Sequence, residues 1–286
     1  AYMVFLEHLP PDWIGQRKAA PFTPGWAPCR GPLSVASRRH TITILSAMGD
    51  WLTSVRYLGL NPWRLINRRI GDERGRSRLD TRAFTAETWA EILRVLDEQA
   101  PSPSVNRLRF VLRFVEATGL RSAELIGARL GDLQVIEEGL VLTVQGKGER
   151  NRDVSVPSQA EAALNEYLRS RLSGTWHECD EALPLLASTV EITAPITYEA
   201  LYKAIKVGLR RAIAASTLSD QAKEKALRAS PHWLRHTFGT RAMEREVPLD
   251  VIQAQMGHAD PATTAQYSRA QIKRRQGALE KAFGKT

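Results

Sequence analysis

Hydrophobic positions along the chain recur mostly at helical spacing. In the first third, Ser34 is the predicted N-cap of a helix that runs to the stop signals Gly59 and Asn61-Pro62. Within this helix the following apolar residues keep the period of one helix face: Ile42, Leu45, Trp51, Leu52, Val55 and Leu58. Six prolines at or before residue 32 exclude a long helix there. The first 32 residues are therefore predicted to be irregular after a short apolar opening.

The remaining chain predicts a series of further helices. Thr85 is the expected N-cap of a helix that runs through Glu98. Ser104 is the expected cap of another, which Gly119 ends in the left-handed conformation. Shorter periodic segments predict helices at 122–128, 158–171, 198–215, 219–229, 231–245, 248–256, 261–268 and 271–284.

One stretch alternates apolar and polar residues instead. GLVLTVQ and RDVSVP flank the turn sequence GKGER, which predicts a β-hairpin with Lys147 at its tip. The turn is not a phosphate-binding P-loop, because the order G-x-x-x-x-G-K-[ST] is absent and Gly148 follows the lysine. The pattern therefore predicts a mainly α protein with a small β-sheet, an α+β class.

A charged segment without apolar period divides the chain. We expect a partial helical domain at 1–65, a linker at 66–82 and a second domain at 83–286. Several arginines of this region suit a segment that crosses a duplex backbone: Arg68, Arg69, Arg74, Arg76, Arg78 and Arg82. A solvated tether explains the same charges equally well.

Composition narrows the class of partner. A net charge of +9 over 286 residues favours a polyanion, and nucleic acid is the commonest one. Cys29 and Cys179 are too few for a disulfide framework and fit a reduced, intracellular setting. No apolar run approaches the ~20 residues of a membrane-spanning helix, and no signal peptide opens the chain. Because the first residue is Ala1, we expect the natural start to be missing.

Six residues carry the functional groups of phosphoryl transfer. They are Arg121, Lys147, His232, Arg235, His258 and Tyr267. Guanidinium groups stay charged and can grip two phosphate oxygens, a lysine and histidines can move protons, and a tyrosine can attack phosphorus. Taken singly, each has a simpler explanation as a surface cation, a helix-end histidine or a core tyrosine. The chemical interpretation depends on the combination.

A metal site is the main alternative for the two histidines of the HWLRH run. His232 and His236 lie one helical turn apart, as metal ligands often do. Zincins require a glutamate directly after the first histidine, and this chain has Trp233 there. We therefore expect no metal and no other cofactor.

Five motifs in fixed order carry a family resemblance. ATGLRSAEL, the GKG hairpin, HWLRH, MGH and TTAQYSR together resemble the active site of the tyrosine site-specific recombinases, the phage-integrase family. The resemblance is strong over about 80–269 and weak over 34–65. It implies a helical core-binding (SAM-like) domain followed by a tyrosine-recombinase catalytic domain.

The resemblance also implies a role for each residue. Tyr267 would attack the phosphodiester and form a 3′-phosphotyrosyl bond. Arg121 and Arg235 would neutralise the phosphate, with His258 as a further donor. His232 would accept the tyrosine proton or help hold the phosphate. Lys147 would protonate the leaving 5′-hydroxyl. Glu124 would brace an arginine or a histidine, and His236 would give structural support.

The implied partners are double-stranded DNA and three further copies of the chain, as a homo-tetramer on synapsed duplexes. Candidate DNA contacts outside the reacting set are Arg38, Arg39, Arg68 and Arg69. The helix at 271–284 resembles a segment donated to a neighbour, although packing within its own chain is equally compatible. A cytoplasmic, nucleoid-associated enzyme without membrane contact follows. The role would be recombination for a mobile element or resolution of a replicon.

Two alternative functions are compatible with this sequence. A type IB topoisomerase would use the same chemistry alone, without recombining sites. A DNA-binding regulator could keep the fold without cleaving. Retention of every expected residue type argues against the regulator.

Overall fold

The computed structural model describes residues 2–15, 20–66, 82–146 and 151–257. The chain divides into two compact units, Ala1–Ser77 and Arg78–Thr286. The division falls inside the segment predicted as a linker. The helices predicted at 261–268 and 271–284 lie outside the described residues.

The first unit is built on one long helix. α1 spans Tyr2–Glu7 and α2 spans Val35–Ser54. Ser34 caps α2 as predicted, because its hydroxyl accepts a hydrogen bond from the amide of Ser37 at 3.1 Å. The predicted extension of α2 to Leu58 is wrong. Arg56 takes a positive φ of 59°, which turns the chain out of the helix.

The predicted apolar face of α2 is only partly buried. Ile42 is 2% exposed, but Trp51 is 61% exposed and Val55 is 53% exposed. The buried side of the helix instead includes Ser46, whose carbonyl accepts a hydrogen bond from the buried side chain of Asn61 at 2.8 Å. A polar contact therefore holds the chain against α2 where the pattern predicted apolar packing.

The second unit is mainly helical with one small sheet. Its helices are α3 (Ala86–Glu98), α4 (Pro103–Thr118), α5 (Ser122–Gly127), α6 (Ser158–Leu172), α7 (Tyr198–Ala215), α8 (Asp220–Leu227), α9 (Pro231–Glu244) and α10 (Leu249–Met256). Its strands are β1 (Leu133–Ile136), β2 (Gly139–Gln145) and β3 (Asn151–Ser155), in the antiparallel order β1-β2-β3. The predicted hairpin is confirmed as β2 and β3, whereas β1 was not predicted.

Helix caps confirm two predictions and correct a third. Thr85 caps α3, and Gly119 ends α4 with φ +68°. The cap of α4 is Ser102, not Ser104, and its hydroxyl accepts from the amide of Val105 at 3.3 Å. Pro103 explains the shift, since proline is favoured in the first helical turn, where its missing amide proton is not needed.

Helix α4 forms the centre of the core in this unit. Phe110, Leu112 and Phe114 are at most 1% exposed, and the helix packs against α6, α7 and α9. α9 is buried on most of its circumference, including its arginine Arg235. The C-terminus of α4 and the N-terminal half of α9 therefore meet in the core, where Arg235 donates to the carbonyl of Gly119.

Candidate active site

The first predicted arginine lies between two helix ends. Gly119 ends α4, and Arg121 occupies the N-cap position of α5. A β-carbon on Gly119 would lie 2.5 Å from the ring of Phe238 on α9, so glycine is required by space as well as by its positive φ. This tight junction fixes the backbone from which the Arg121 side chain extends.

Glu124 holds Arg121 from the first turn of α5. Its Oε2 accepts a hydrogen bond from the Arg121 amide at 2.8 Å, and its Oε1 accepts one from Arg121 Nη1 at 2.7 Å. The Glu124 side chain is 3% exposed, whereas the Arg121 side chain is 38% exposed. The carboxylate is thus buried behind the arginine, which leaves the guanidinium facing outward.

The second predicted arginine is held entirely differently. Arg235 is 3% exposed. Its Nη1 donates to the carbonyl of Gly119 at 2.6 Å, and its Nη2 donates to the carbonyl of Met256. Both acceptors lie at helix C-termini, where carbonyls point beyond the last turn. Arg235 therefore ties the end of α4 to the end of α10.

Three successive carbonyls at the end of α10 each face a different arginine. Those of Gln255, Met256 and Gly257 accept from Arg152 (3.4 Å), Arg235 and Arg121 (2.9 Å), respectively. A helix C-terminus carries partial negative charge, which offsets the repulsion among the three positively charged arginines. His258, the next predicted residue, directly follows Gly257 in the sequence.

Gln255 adds a second tie at the same place. Its Nε2 donates to the carbonyls of Thr118 (3.2 Å) and Ser155 (2.8 Å), and its Oε1 accepts from the Ser155 amide at 3.1 Å. One side chain thereby joins α10 to the end of α4 and the end of β3. The ends of α4, β3 and α10 are therefore fixed to one another by this side chain.

The charge of Glu124 is set by opposing effects. Burial raises the pKa of this carboxyl, but hydrogen bonds from Arg152 and from the amide and guanidinium of Arg121 outweigh it and leave the pKa lowered. Arg152 contributes two of those bonds, at 2.7 and 3.1 Å. Glu124 therefore stays ionised beneath Arg121 at neutral pH.

His232 is held in its neutral form. Its pKa is lowered, first by partial desolvation and then by the positive charges of Arg235, Arg82 and Arg121. The residue is exposed overall, so the desolvation is only partial. The ring of His236 packs edge-on against it, with centroids 4.3 Å apart. At neutral pH the imidazole is therefore unprotonated and has a nitrogen lone pair free to accept a proton, while the nearby positive charges make it a weaker base.

The chain before α9 is fixed by a lysine. Lys206 on α7 donates to the carbonyls of Leu227 and Ala229, both at 2.9 Å. This anchors the segment that leads into α9, whose N-cap Ser230 makes no side-chain cap hydrogen bond. The placement of His232 thus depends on α7 as well as on its own helix.

The structure brings part of the predicted set together. Arg121, Glu124, His232, Arg235 and His236 lie in one neighbourhood around the ends of α4 and α10. Five predicted residues lie outside the described residues: Lys147, His258, Tyr267, Arg68 and Arg69. Their assignment stays a prediction.

The candidate DNA contacts of the first unit differ from each other. Arg38 is 15% exposed at its side chain and donates to Glu7 at 2.5 Å, an ion pair within the unit. Arg39 is exposed. A contact of Arg38 with DNA would therefore require the Glu7 pair to open or to share its guanidinium.

Sequence reasoning missed Arg152, Gln255 and the effect of Arg82 on His232. In the sequence, Arg152 is one polar position of an alternating strand pattern, and Gln255 is one polar position of a helix pattern. Neither pattern distinguishes these residues from their neighbours. The predicted β2–β3 hairpin was the only signal that placed Arg152 beside the root of the Lys147 turn.

In the described parts of the chain, no group of three or more His, Cys, Asp and Glu side chains is placed to hold a metal ion. Among the same residues, none of the helices combines the length and apolar character needed to cross a bilayer.

The sequence matches the family model described as the phage integrase family over residues 82–274, which is more than half of the chain. Tyrosine recombinase XerC of Pelobacter propionicus is 33% identical over 180 residues, 63% of this chain and 53% of that protein. Tyrosine recombinase XerA of Pyrococcus furiosus is 26% identical over 192 residues, 67% of this chain and 60% of that protein. The chain thus spans about half to three fifths of the length of these relatives.

Solved structures share the fold. XerH recombinase bound to palindromic difH substrate, in a post-cleavage complex, matches with a TM-score of 0.61 and 20% identity over 87% of this chain and 67% of that one. The Tn1549 transposon integrase in complex with circular intermediate DNA matches with a TM-score of 0.61 and 17% identity over 85% and 79%. Together with the family match over most of the second unit, this architecture shows that the chain belongs to the phage integrase family of tyrosine recombinases.

Proposed function

We propose that this protein is a site-specific DNA recombinase that cleaves and rejoins strands through a 3′-phosphotyrosyl intermediate. One observation carries the proposal. Arg121 and Arg235 donate to the adjacent carbonyls of Gly257 and Met256, directly before His258. Two guanidiniums thereby meet at the end of α10, as binding of a single phosphate would require, and His258 is the next residue in the sequence.

In the proposed reaction the Tyr267 oxygen attacks phosphorus, and the bond from phosphorus to the 5′-oxygen breaks. Arg121 and Arg235 neutralise the charge that develops on the non-bridging oxygens, with His258 as an additional donor. Arg121 is the more accessible of the two, so it is the one we expect to contact the phosphate most directly. The tyrosine stays linked to the 3′-phosphate until a 5′-hydroxyl attacks in turn.

Two proton transfers accompany cleavage. Neutral His232 accepts the proton of Tyr267, a role supported by its lowered pKa. Lys147 gives a proton to the departing 5′-oxygen. Rejoining reverses both transfers with a 5′-hydroxyl from a partner strand. Because the covalent link conserves the phosphodiester energy, the cycle consumes no nucleotide.

The proposed partner is double-stranded DNA. The net charge of +9 supports it, and the XerH and Tn1549 integrase structures contain DNA. We infer that the helical domain predicted at 1–65 and the linker predicted at 66–82 clamp the duplex, with contacts from Arg38, Arg39, Arg68 and Arg69. In this proposal four copies synapse two duplexes at the nucleoid, and the segment 271–284, for which the sequence predicts a helix, is exchanged between neighbours. The biological role would serve a mobile element or a replicon.

The test is covalent trapping. The protein is incubated with nicked, end-labelled duplexes from the flanks of its own gene, with EDTA present, and resolved on a denaturing gel. We expect a slow-migrating adduct that is absent from Tyr267→Phe. Binding should weaken by about 10³–10⁵ over a fourfold rise in salt if 6–10 phosphates are contacted.

Other outcomes favour the rivals. Tight binding without an adduct on any flank would contradict cleavage and favour a regulator. Relaxation of supercoiled plasmid by a monomer, on any sequence, would favour a type IB topoisomerase. An adduct that Tyr267→Phe also forms would remove Tyr267 as the nucleophile.

A further inference from the structure

Arg152 lies where the hairpin meets the predicted site. It is on β3, paired across the ladder with Val144 on β2, and the turn between these strands contains Lys147. Its side chain is 15% exposed. A mostly buried arginine beside a proposed phosphate site needs partners of its own, and those partners connect three elements.

The first partner is Glu124. Arg152 donates from Nη1 to Oε1 at 2.7 Å and from Nη2 to Oε2 at 3.1 Å, a two-pronged contact. Arg121 donates to the same carboxylate. One buried negative charge is therefore shared between two guanidiniums, and the position of each depends on the other.

The second partner is the end of α10. Arg152 Nη2 also approaches the carbonyl of Gln255 at 3.4 Å. A β-carbon on Gly257 would lie 2.7 Å from Arg152 Nε, so the guanidinium rests directly against this glycine. Gly257 in turn offers its carbonyl to Arg121. Arg152 thus contacts both groups that hold Arg121 in place.

Loss of this guanidinium has a definite physical consequence. With Arg152 absent, Glu124 would be a buried carboxylate with one cationic partner, and Arg121 would be drawn toward it. Lysine cannot replace Arg152, since a single ammonium group cannot make the two-pronged contact and reach the Gln255 carbonyl as well. A lysine at position 152 would therefore keep the positive charge but lose the hydrogen bonds that hold Glu124 and the end of α10.

We propose that Arg152 is a positioning residue for DNA cleavage, which acts by holding Glu124 and the end of α10 so that Arg121 points at the scissile phosphate. The inference rests on the proposed function. It adds a residue outside the reacting set, and it links the strand that follows the Lys147 turn to Arg121. Arg152 itself does not touch the phosphate in this proposal.

The experiment compares Arg152→Lys with a matched control. Arg113→Lys alters another partly buried arginine, 22% exposed, whose partners Asp97 and Glu166 lie on α3 and α6. Single-turnover cleavage of a nicked duplex is measured at saturating and at limiting protein. We expect Arg152→Lys to slow cleavage by about 10- to 100-fold at saturation, with DNA affinity within about twofold of wild type. Arg113→Lys should cleave as wild type does.

A double-mutant cycle tests the route of the effect. If Arg152 acts through Glu124, Arg152→Lys in a Glu124→Gln background should slow cleavage much less than it does in wild type. Equal effects in both backgrounds would overturn the proposal. Rates expressed per DNA-bound protein remove any contribution from a smaller folded fraction.

A readout without DNA separates this inference from the proposed function. Hydrogen exchange of peptides covering 119–128 and 250–257 should be faster in Arg152→Lys than in Arg113→Lys. If wild type forms no adduct, the recombinase proposal fails. If wild type cleaves and Arg152→Lys cleaves equally well, or loses affinity instead of rate, only the role of Arg152 fails.

Discussion

Arg121 and Arg235 bind neighbouring carbonyls of the same helix end but lie in opposite environments. Arg121 is 38% exposed at its side chain and is balanced by the carboxylate of Glu124. Arg235 is 3% exposed, and the carbonyls of Gly119 and Met256 are its acceptors. The difference indicates a division of labour. In the proposed reaction, Arg235 holds the ends of α4 and α10 together and supplies fixed positive charge, whereas Arg121 is the more accessible arginine and contacts the phosphate.

The largest expected effect is that of Arg235→Ala on stability. The change leaves two helix-end carbonyls without their donor and opens a cavity in the core. We expect a loss of about 3–5 kcal/mol in the free energy of unfolding, measured by urea denaturation, together with loss of cleavage. A loss below about 1 kcal/mol would mean that α4 and α10 do not depend on this contact.

Arg121→Ala should show the reverse balance. We expect cleavage to fall by about 10²–10³-fold while the free energy of unfolding changes by no more than about 1 kcal/mol, because the side chain is partly solvated. Single-turnover cleavage and urea denaturation on the same preparations provide the comparison. If both arginine variants lose stability equally, the division of labour is refuted.

Gln255→Ala should have a smaller effect. The side chain makes three hydrogen bonds that join α10, α4 and β3, and we expect a loss of about 1–2 kcal/mol. Gln255→Glu should be no less harmful, since a carboxylate would face the carbonyls of Thr118 and Ser155. Thermal unfolding against Gln253→Ala, on the same helix, is the control. Equal melting temperatures for all three variants would contradict the role assigned to Gln255.

The smallest expected effect concerns protonation of His232. Arg82 is one of the charges that lower its pKa, so Arg82→Gln should raise that pKa toward the ordinary value of about 6.5. The acid limb of the cleavage profile should move to higher pH, and the His232 resonance in NMR titration should move with it. An unchanged or lower pKa would show that Arg82 does not act on this histidine.

The lowered pKa of His232 also makes the free energy of unfolding depend on pH. Because the folded pKa of His232 is lowered, the unfolded chain binds its proton more readily. The contribution of this group is therefore complete above the unfolded pKa and is lost as pH falls through the folded pKa. In Arg82→Gln this loss should be smaller.

Much of the architecture was predictable from local pattern. The caps Ser34 and Thr85, the left-handed Gly119 and the β2–β3 hairpin all follow from residues close together in sequence. Two errors at helix ends arose because a neighbouring residue determined where the helix begins or ends. Pro103 moved the cap of α4 by two residues, and the left-handed Arg56 ended α2 early.

The sequence predicted which residues belong to the site better than it predicted how their side chains contact one another. The sequence determined which groups are available, because a guanidinium, an imidazole or a helix-ending glycine has its chemistry wherever it lies. Tertiary structure alone decided that Arg235 is buried against two carbonyls and Arg121 is not. The tertiary structure also placed Arg152 and Gln255 beside these arginines at the end of α10. Those contacts join residues roughly 20 to 140 positions apart, and only the packing of α4, α9, α10 and the sheet brings them within hydrogen-bonding distance.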